Sequence, residues 1–172
     1  MLIIRKETQR DYEEIYEMVK KAFATTTHSD GTEQDYLNEL RNKNCFLPEL
    51  ALVAQTDGKI VGHVVLYEMQ VNNAGKSETG LVLSPLSVHP CYFGRGIGTR
   101  LIDEGLKRAK ENGYKAVFLC GDYDYYSKRG FVPTYQYGIY HEKDVGKTAN
   151  WCMVKELEKG FLTDVAGTVN IE

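Results

Sequence analysis

The chain has 172 residues, of which 21 are Lys or Arg and 24 are Asp or Glu, so its formal net charge at neutral pH is −3. This length is typical of one domain, and a hydrophobic content of 42% is enough for a buried core. The weakly negative charge argues against a broad nucleic-acid-binding face but is compatible with a local basic pocket. We therefore expect a single domain over residues 1–172 that binds no nucleic acid.

The termini and the cysteines limit the environment in which the protein works. The N-terminal residues lack the charged-then-apolar order of a signal peptide, and no apolar run approaches the roughly 18 residues of a membrane helix. The cysteines lie far apart in the sequence and form no Cys-x-x-Cys pair, which indicates neither a zinc site nor a redox motif. We expect a cytoplasmic protein with reduced thiols, no bound metal and no membrane contact. The cysteines are Cys45, Cys91, Cys120 and Cys152.

The chain is predicted to begin with a strand and two helices. A short strand is predicted at residues 2–4, and Thr8 with Asp11 is typical of a capping box. Apolar residues then recur at helical spacing and predict a helix over about 9–23, followed by a shorter helix over about 32–43.

Three strands forming a meander come next. The dipeptide Asp57-Gly58 is a strong hairpin signal between the first two. Pro85 lies inside the third strand, where we expect a bulge or a local end of pairing because proline has no N–H to donate. The predicted strands are 50–55, 60–70 and 78–88.

The remaining elements predict a mixed sheet. Apolar residues at helical spacing from Ile97 to Ala109 predict a helix with Gly113 at its end, and the short apolar run after it suits a buried parallel strand. The order β α α β β β α β α β β indicates an α/β (α+β) fold with helices on both faces of the sheet. The later segments are a strand at 116–120, helical turns at 122–129 and closing strands at 131–140 and 151–157.

The strongest functional signal is the glycine-rich turn between a strand and a helix, Gly94-Arg95-Gly96-Ile97-Gly98. Glycines let backbone N–H groups approach a phosphate, and the helix N-terminus and Arg95 add positive charge. The turn fits neither the dinucleotide-binding pattern Gly-x-Gly-x-x-Gly nor a P-loop. From the residues alone, it is an anion cradle or a glycine-rich turn without a ligand.

The same turn resembles the pyrophosphate-binding loop of the GCN5-related N-acetyltransferase (GNAT) family, whose pattern is Gln/Arg-x-x-Gly-x-Gly/Ala. Gly96 and Gly98 match the two glycine positions, whereas Phe93 replaces the usual Gln or Arg. The resemblance implies acetyl-CoA as co-substrate and a mostly antiparallel sheet of about seven strands, splayed between the fourth and fifth. It implies cofactor contacts from Leu86, Ser87, Val88, Phe93, Gly94, Arg95, Gly96, Ile97, Gly98 and Thr99.

A second segment, Tyr126-Ser127-Lys128-Arg129-Gly130-Phe131, resembles the family's Tyr-x-x-x-Gly-Phe. By this resemblance Tyr126 protonates the departing thiolate of coenzyme A, and Tyr125 is the alternative if the register is shifted. A phenol suits this role because its pKa, near 10, lies not far above that of a thiol. The residue could instead be a packed aromatic of the turn.

The general base is left open among three residues. Glu33 would lie on the second helix, a common substrate wall in this family. His89 follows the third meander strand, although a His-Pro pair there more often shapes the loop, and Glu78 opens that strand. The resemblance also implies that a backbone N–H near Val88 stabilises the tetrahedral oxyanion.

The predicted reaction is direct attack of a primary amine on the thioester, with the amine unidentified. Cys120 is expected to be a small buried apolar residue, and the alternative is a nucleophile that forms an acetyl-enzyme. The aromatic residues near the C-terminus are expected to pack the last sheet, or else to line the acceptor pocket or a homodimer seam. A non-catalytic acyl-CoA-binding module is the alternative function, and a nucleotide-binding protein is a third.

Overall fold

The computed structural model describes residues 1–171. Within them, the helices are Tyr12–Phe23 (α1), Glu33–Leu40 (α2), Ile97–Glu111 (α3) and Tyr123–Ser127 (α4). The strands are Ile3–Lys6 (β1), Ala51–Thr56 (β2), Lys59–Asn73 (β3), Lys76–Val88 (β4), Ala116–Cys120 (β5), Val132–Pro133 (β6), Ile139–His141 (β7), Cys152–Glu156 (β8) and Gly167–Val169 (β9). No helix in this part of the chain is long and apolar enough to cross a bilayer.

The sheet is mixed and mostly antiparallel, as predicted. Its hydrogen-bonded path contains seven strands in the order β1-β2-β3-β4-β5-β8-β6, and β9 pairs with both β3 and β7. Strands β4 and β5 run parallel, with Leu81 opposite Val117 and Val82 opposite Phe118. The β7–β9 pair is also parallel.

The chain divides into two compact units. The first contains Met1–Tyr67 and Ser84–Arg108, and the second contains Glu68–Leu83 and the chain from Ala109. The assignment of the whole chain to one domain stays a prediction.

In the first unit, helices cover both faces of β3. Gly62 and Leu66 face α3: a Cβ built on Gly62 would lie 2.9 Å from Leu101 Cδ1, and one built on Gly105 2.9 Å from Leu66 Cδ1. On the opposite face, the Tyr67 hydroxyl lies 3.1 Å from the hydroxyl of Tyr36 on α2. Since side chains alternate along a strand, this placement confirms the prediction of helices on both faces.

The local signals at the start of the chain are also confirmed. The Asp11 carboxylate accepts hydrogen bonds from the Thr8 N–H and hydroxyl, which is the predicted capping box. It also accepts two bonds from the Arg5 guanidinium, at 2.7 and 2.9 Å. Asp57 and Gly58 both adopt positive φ angles, 49° and 74°, and join β2 to β3 as the hairpin prediction requires.

The later part of the chain departs from the prediction at one predicted strand and adds one strand that was not predicted. Residues 131–140 do not form one strand: β6 and β7 flank a 3-10 turn at Thr134–Tyr137 that ends at Gly138, whose φ is 69°. β4 runs to Val88, as predicted, and its Ser84–Pro85 peptide is cis; a bulge or a local end of pairing at Pro85 stays a prediction. The C-terminal segment contributes β9, whose three residues carry too short a pattern to be recognised in the sequence.

Candidate functional site

The glycine-rich turn leaves open space beside its backbone. Gly94 and Gly96 both have a φ of +75°, a conformation that side chains with a Cβ rarely adopt. A Cβ built on either residue would have no other atom within 4 Å. Both residues are exposed, and α3 begins directly after them at Ile97. The first N–H groups of a helix have no acceptor within it, so this turn fits an anion such as a pyrophosphate.

The base of the turn is packed firmly against the sheet. Ile97 and Leu101 are buried, and both lie within about 3 Å of a Cβ built on Gly62 in β3. Because only a glycine at position 62 permits this close approach, the first turn of α3 lies directly on the strand. The backbone of the cradle is therefore held by packing before any ligand arrives.

The two side chains that flank the cradle are exposed. Phe93, the departure from the family pattern, exposes 54% of its surface. The Arg95 guanidinium lies over the ring of Tyr92, 4.9 Å from the ring centroid. This contact holds the cation beside the turn, where it adds positive potential.

The residues from Leu86 to Val88, which the resemblance implies as cofactor contacts, end β4. Leu86 and Val88 are half-buried, and Ser87 is buried with no hydrogen-bond partner for its hydroxyl oxygen. The His89 N–H donates to the Val61 carbonyl at 2.8 Å, which ties the end of the segment to β3. An unpaired buried hydroxyl is costly, so Ser87 marks a place where a ligand or a water molecule would be stabilising.

The His89 side chain stabilises the turn that follows β4. Its Nδ1 accepts the Cys91 N–H at 3.1 Å and caps the 3-10 turn Pro90–Tyr92. Its ring also meets the Tyr92 ring edge-on, with centroids 5.8 Å apart. These contacts agree with a loop-shaping role, and its role as general base stays a prediction.

Glu33 lies in the first turn of α2, on the helix that carries Tyr36. Its Oε2 is buried and has no hydrogen-bond partner. Since residues three apart lie on the same side of a helix, Glu33 and Tyr36 face the same region, where Tyr36 meets Tyr67. An unpaired buried carboxylate oxygen can receive an ammonium group or its proton.

A buried ionic cluster, which the sequence analysis missed, fixes α2 to the sheet. Glu7 follows β1 and accepts two hydrogen bonds from Arg41, at 2.8 and 3.0 Å, directly after α2. The same carboxylate lies 2.6 Å from His63 Nε2 in the middle of β3. The Arg41 guanidinium also stacks on the ring of Tyr12, 3.8 Å from its centroid.

Burial sets the charges within this cluster. Burial opposes the charged form of Glu7, but hydrogen bonds from His63 and Arg41 outweigh it and lower the pKa of Glu7 to about 2. Burial lowers the pKa of His63, whose Nδ1 has no partner. We assign a neutral imidazole that donates Nε2–H to a charged Glu7. His63 therefore packs in the core, where it is fully buried.

Tyr126 lies on α4 in the second unit, in an apolar surrounding. Its ring meets the rings of Tyr125 and Phe131 edge-on, at 4.8 and 5.8 Å between centroids. It also covers Gly121, where a built Cβ would lie 2.6 Å from Tyr126 Cε2. Burial, with the neighbouring Tyr125, raises the pKa of Tyr126, so this phenol keeps its proton at neutral pH.

The remaining candidates occupy other surroundings. Glu78 is exposed at the start of β4. Cys120, the last residue of β5, is exposed rather than buried as expected. Tyr135, Tyr140 and Trp151 line one narrow cleft in the second unit. Among residues 1–171, no cluster of three or more His, Cys, Asp or Glu side chains could hold a metal ion.

Comparison with known proteins relates the chain to one family. The model of the family described as "Acetyltransferase (GNAT) domain" matches residues 3–134. The curated relatives include two Escherichia coli proteins named as uncharacterised N-acetyltransferases, YjhQ and YhbS. The chain is 32% identical to YjhQ over 72% of its own length and 65% of that protein. It is 34% identical to YhbS over 76% of its own length and 73% of that protein.

Solved structures show the same fold with the co-substrate bound. A GNAT family acetyltransferase from Brucella melitensis in complex with acetyl-CoA aligns with a TM-score of 0.80 and 27% identity, covering 100% of this chain and 96% of that one. The YhbS structure in complex with CoA aligns with a TM-score of 0.86 and 27% identity, covering 99% and 89%.

Proposed function

Since the chain belongs to the GCN5-related N-acetyltransferase family, we propose that it transfers the acetyl group of acetyl-CoA to a primary amine. The observation that carries this proposal is the open cradle at Gly94 and Gly96, where no side chain fills the space beside the backbone. Acetyl-CoA and CoA occupy the solved relatives from Brucella melitensis and Escherichia coli, which supports the same co-substrate here.

The cofactor contacts follow from the two segments of the first unit. Backbone N–H groups from Gly94 to Thr99 bind the pyrophosphate, and Arg95 adds a full positive charge. The end of β4, from Leu86 to Val88, receives the pantetheine arm by backbone pairing. The Val88 N–H points to the thioester carbonyl and stabilises the oxyanion of the tetrahedral intermediate.

Proton transfer is assigned to two side chains. Glu33 takes the proton of the attacking amine, since its unpaired buried oxygen has no other partner. By the resemblance of its segment, Tyr126 returns a proton to the departing thiolate. His89 is the second candidate base, through the ring nitrogen that its cap does not use.

The cradle is tested by placing a side chain in it. Gly96→Asp puts a carboxylate into the space for the pyrophosphate and should weaken acetyl-CoA binding at least a hundredfold in calorimetric titration. Gly58→Asp is the matched control: its φ is +74° and a Cβ there also meets nothing within 4 Å, but it lies in the β2–β3 hairpin. If both variants bound acetyl-CoA with equal affinity, the assignment of the turn as the pyrophosphate site would be wrong.

The chemistry is tested separately with Tyr126→Phe. This variant should bind acetyl-CoA within twofold of the wild type but lose at least tenfold in turnover with an amine panel, measured as release of free CoA thiol. Tyr125→Phe is the control for register and should retain turnover. Tight acetyl-CoA binding without turnover on any amine, in the wild type, would favour a non-catalytic binding module.

A further inference from the structure

Two cysteines that are 32 positions apart in sequence face each other in the second unit. Cys120 ends β5 and is paired in register with Cys152, which begins β8. The next pair along, Gly121 and Trp151, is joined by a hydrogen bond from the Gly121 N–H to the Trp151 carbonyl at 2.9 Å. Hydrogen-bonded and non-hydrogen-bonded pairs alternate in an antiparallel ladder, so Cys120 and Cys152 occupy a non-hydrogen-bonded pair.

This position suits a disulfide. The Cα atoms of a non-hydrogen-bonded pair lie about 4.5 Å apart, inside the range of about 4.4–6.8 Å that disulfides span. Both thiols are free. Side chains at such a pair leave the sheet on the same face, so the sulfur atoms can meet without backbone movement.

The two thiols differ in their access to solvent. Cys120 is exposed and Cys152 is buried, so an external reagent reaches Cys120 first.

We propose that Cys120 and Cys152 form a thiol–disulfide exchange site that reacts with a low-molecular-weight disulfide and closes to an intramolecular disulfide. The site is a modification site of the β5–β8 ladder and does not depend on the acetyltransferase activity. Its oxidised form fixes the end of β5 to β8, directly before Gly121, on which the Tyr126 ring packs.

The proposed oxidation proceeds by two successive thiol–disulfide exchange steps. The Cys120 thiolate attacks one sulfur of the disulfide reagent, forms a mixed disulfide and releases the first small thiol. The Cys152 thiolate then attacks the Cys120 sulfur, closes the Cys120–Cys152 bond and releases the second small thiol. Two protein thiols are oxidised, the reagent disulfide is reduced to two thiols, and the two protein protons go to them.

The test uses glutathione disulfide as the probe, with peptide mapping by mass spectrometry after rapid acid quenching. In the wild type we expect the cross-linked peptides of Cys120 and Cys152 as the main product, reversed by dithiothreitol. In Cys152→Ala we expect a lasting glutathione adduct on Cys120. In Cys120→Ala we expect Cys152 to react at least tenfold more slowly than Cys120 does in Cys152→Ala.

Cys91 is the internal reference. It is exposed in the 3-10 turn Pro90–Tyr92 and should carry a glutathione adduct in all three proteins. Separate adducts on Cys120 and Cys152 in the wild type, or no cross-link while Cys91 reacts, would overturn the proposal. Circular dichroism of each variant before treatment ensures that the thiols are compared in folded protein. If a variant does not fold, the proposal is judged from the wild-type result alone.

Discussion

Removing the charge of Glu7 should destabilise the protein more than removing any exposed carboxylate. In the cluster around Glu7, the side chains of Glu7, Arg41 and His63 expose only 3%, 6% and 0% of their surface. Glu7→Gln removes the carboxylate and leaves the Arg41 guanidinium buried without a counter-charge. The substitution keeps the size of the side chain, so the effect reports charge and hydrogen bonding rather than a cavity.

The magnitude follows from the pKa of Glu7. The folded environment lowers it from 4.5 to about 2. A shift of about 2.5 units corresponds to about 3 kcal/mol, at about 1.4 kcal/mol per unit. This value agrees with the roughly 3–5 kcal/mol measured when buried ion pairs lose one partner. Glu7→Gln should therefore lower the free energy of unfolding by about 3 kcal/mol at pH 7.

The same shift gives the pH dependence. Because the pKa of Glu7 is lowered on folding, its contribution is present above the unfolded value and is lost as the pH falls from about 4.5 towards 2. Urea unfolding between pH 7 and pH 3 should show the wild type losing stability faster than Glu7→Gln, so that the two curves converge.

Glu49→Gln is the control for this prediction. Glu49 pairs with Lys6 at 2.9 Å, but 62% of its side chain is exposed. Such a surface pair contributes less than about 1 kcal/mol. If Glu7→Gln cost no more than Glu49→Gln at pH 7, or if the difference from wild type did not shrink in acid, the assignment of a charged, buried Glu7 would be wrong.

The other predictions concern packing and chemistry. Gly62→Ala places a Cβ 2.9 Å from Leu101 Cδ1 and should cost about 1–3 kcal/mol in urea unfolding; an unchanged midpoint would show that α3 can shift freely. Gly121→Ala places a Cβ 2.6 Å from Tyr126 Cε2 and so displaces the Tyr126 ring. We expect kcat to fall at least fivefold while the affinity for acetyl-CoA stays within twofold of the wild type. A kcat equal to that of the wild type would show that catalysis does not depend on the position of this ring. Glu33→Gln should lower kcat/KM for the amine at least tenfold without weakening acetyl-CoA binding, and a loss below twofold would exclude Glu33 as the base.

Local patterns in the sequence predicted the parts of the site that local chemistry determines. The glycine turn, the start of α3 and the Asp57-Gly58 hairpin depend on backbone conformations that few residues other than glycine and aspartate adopt. The buried face of α1, with Ile15, Met18, Val19 and Ala22, follows from its helical spacing. These features require no knowledge of distant residues.

Distant pairings could not be predicted in this way. Glu7 and His63 are 56 positions apart, and neither lies in a motif that indicates the other. Cys120 and Cys152 looked unrelated because only the β5–β8 register brings them together. Residues 131–140 have a strand-like composition, but a 3-10 turn interrupts the segment and ends at Gly138, which adopts a positive φ. The tertiary context therefore overrides the strand propensity.

The most direct test of the central claim is calorimetric titration of the purified protein with acetyl-CoA, with ATP and NAD as controls. We predict micromolar binding of acetyl-CoA, with neither control binding at the same concentration. No binding of acetyl-CoA to the folded protein would contradict the proposal, and would indicate that the cradle with Phe93 at its edge no longer holds the co-substrate.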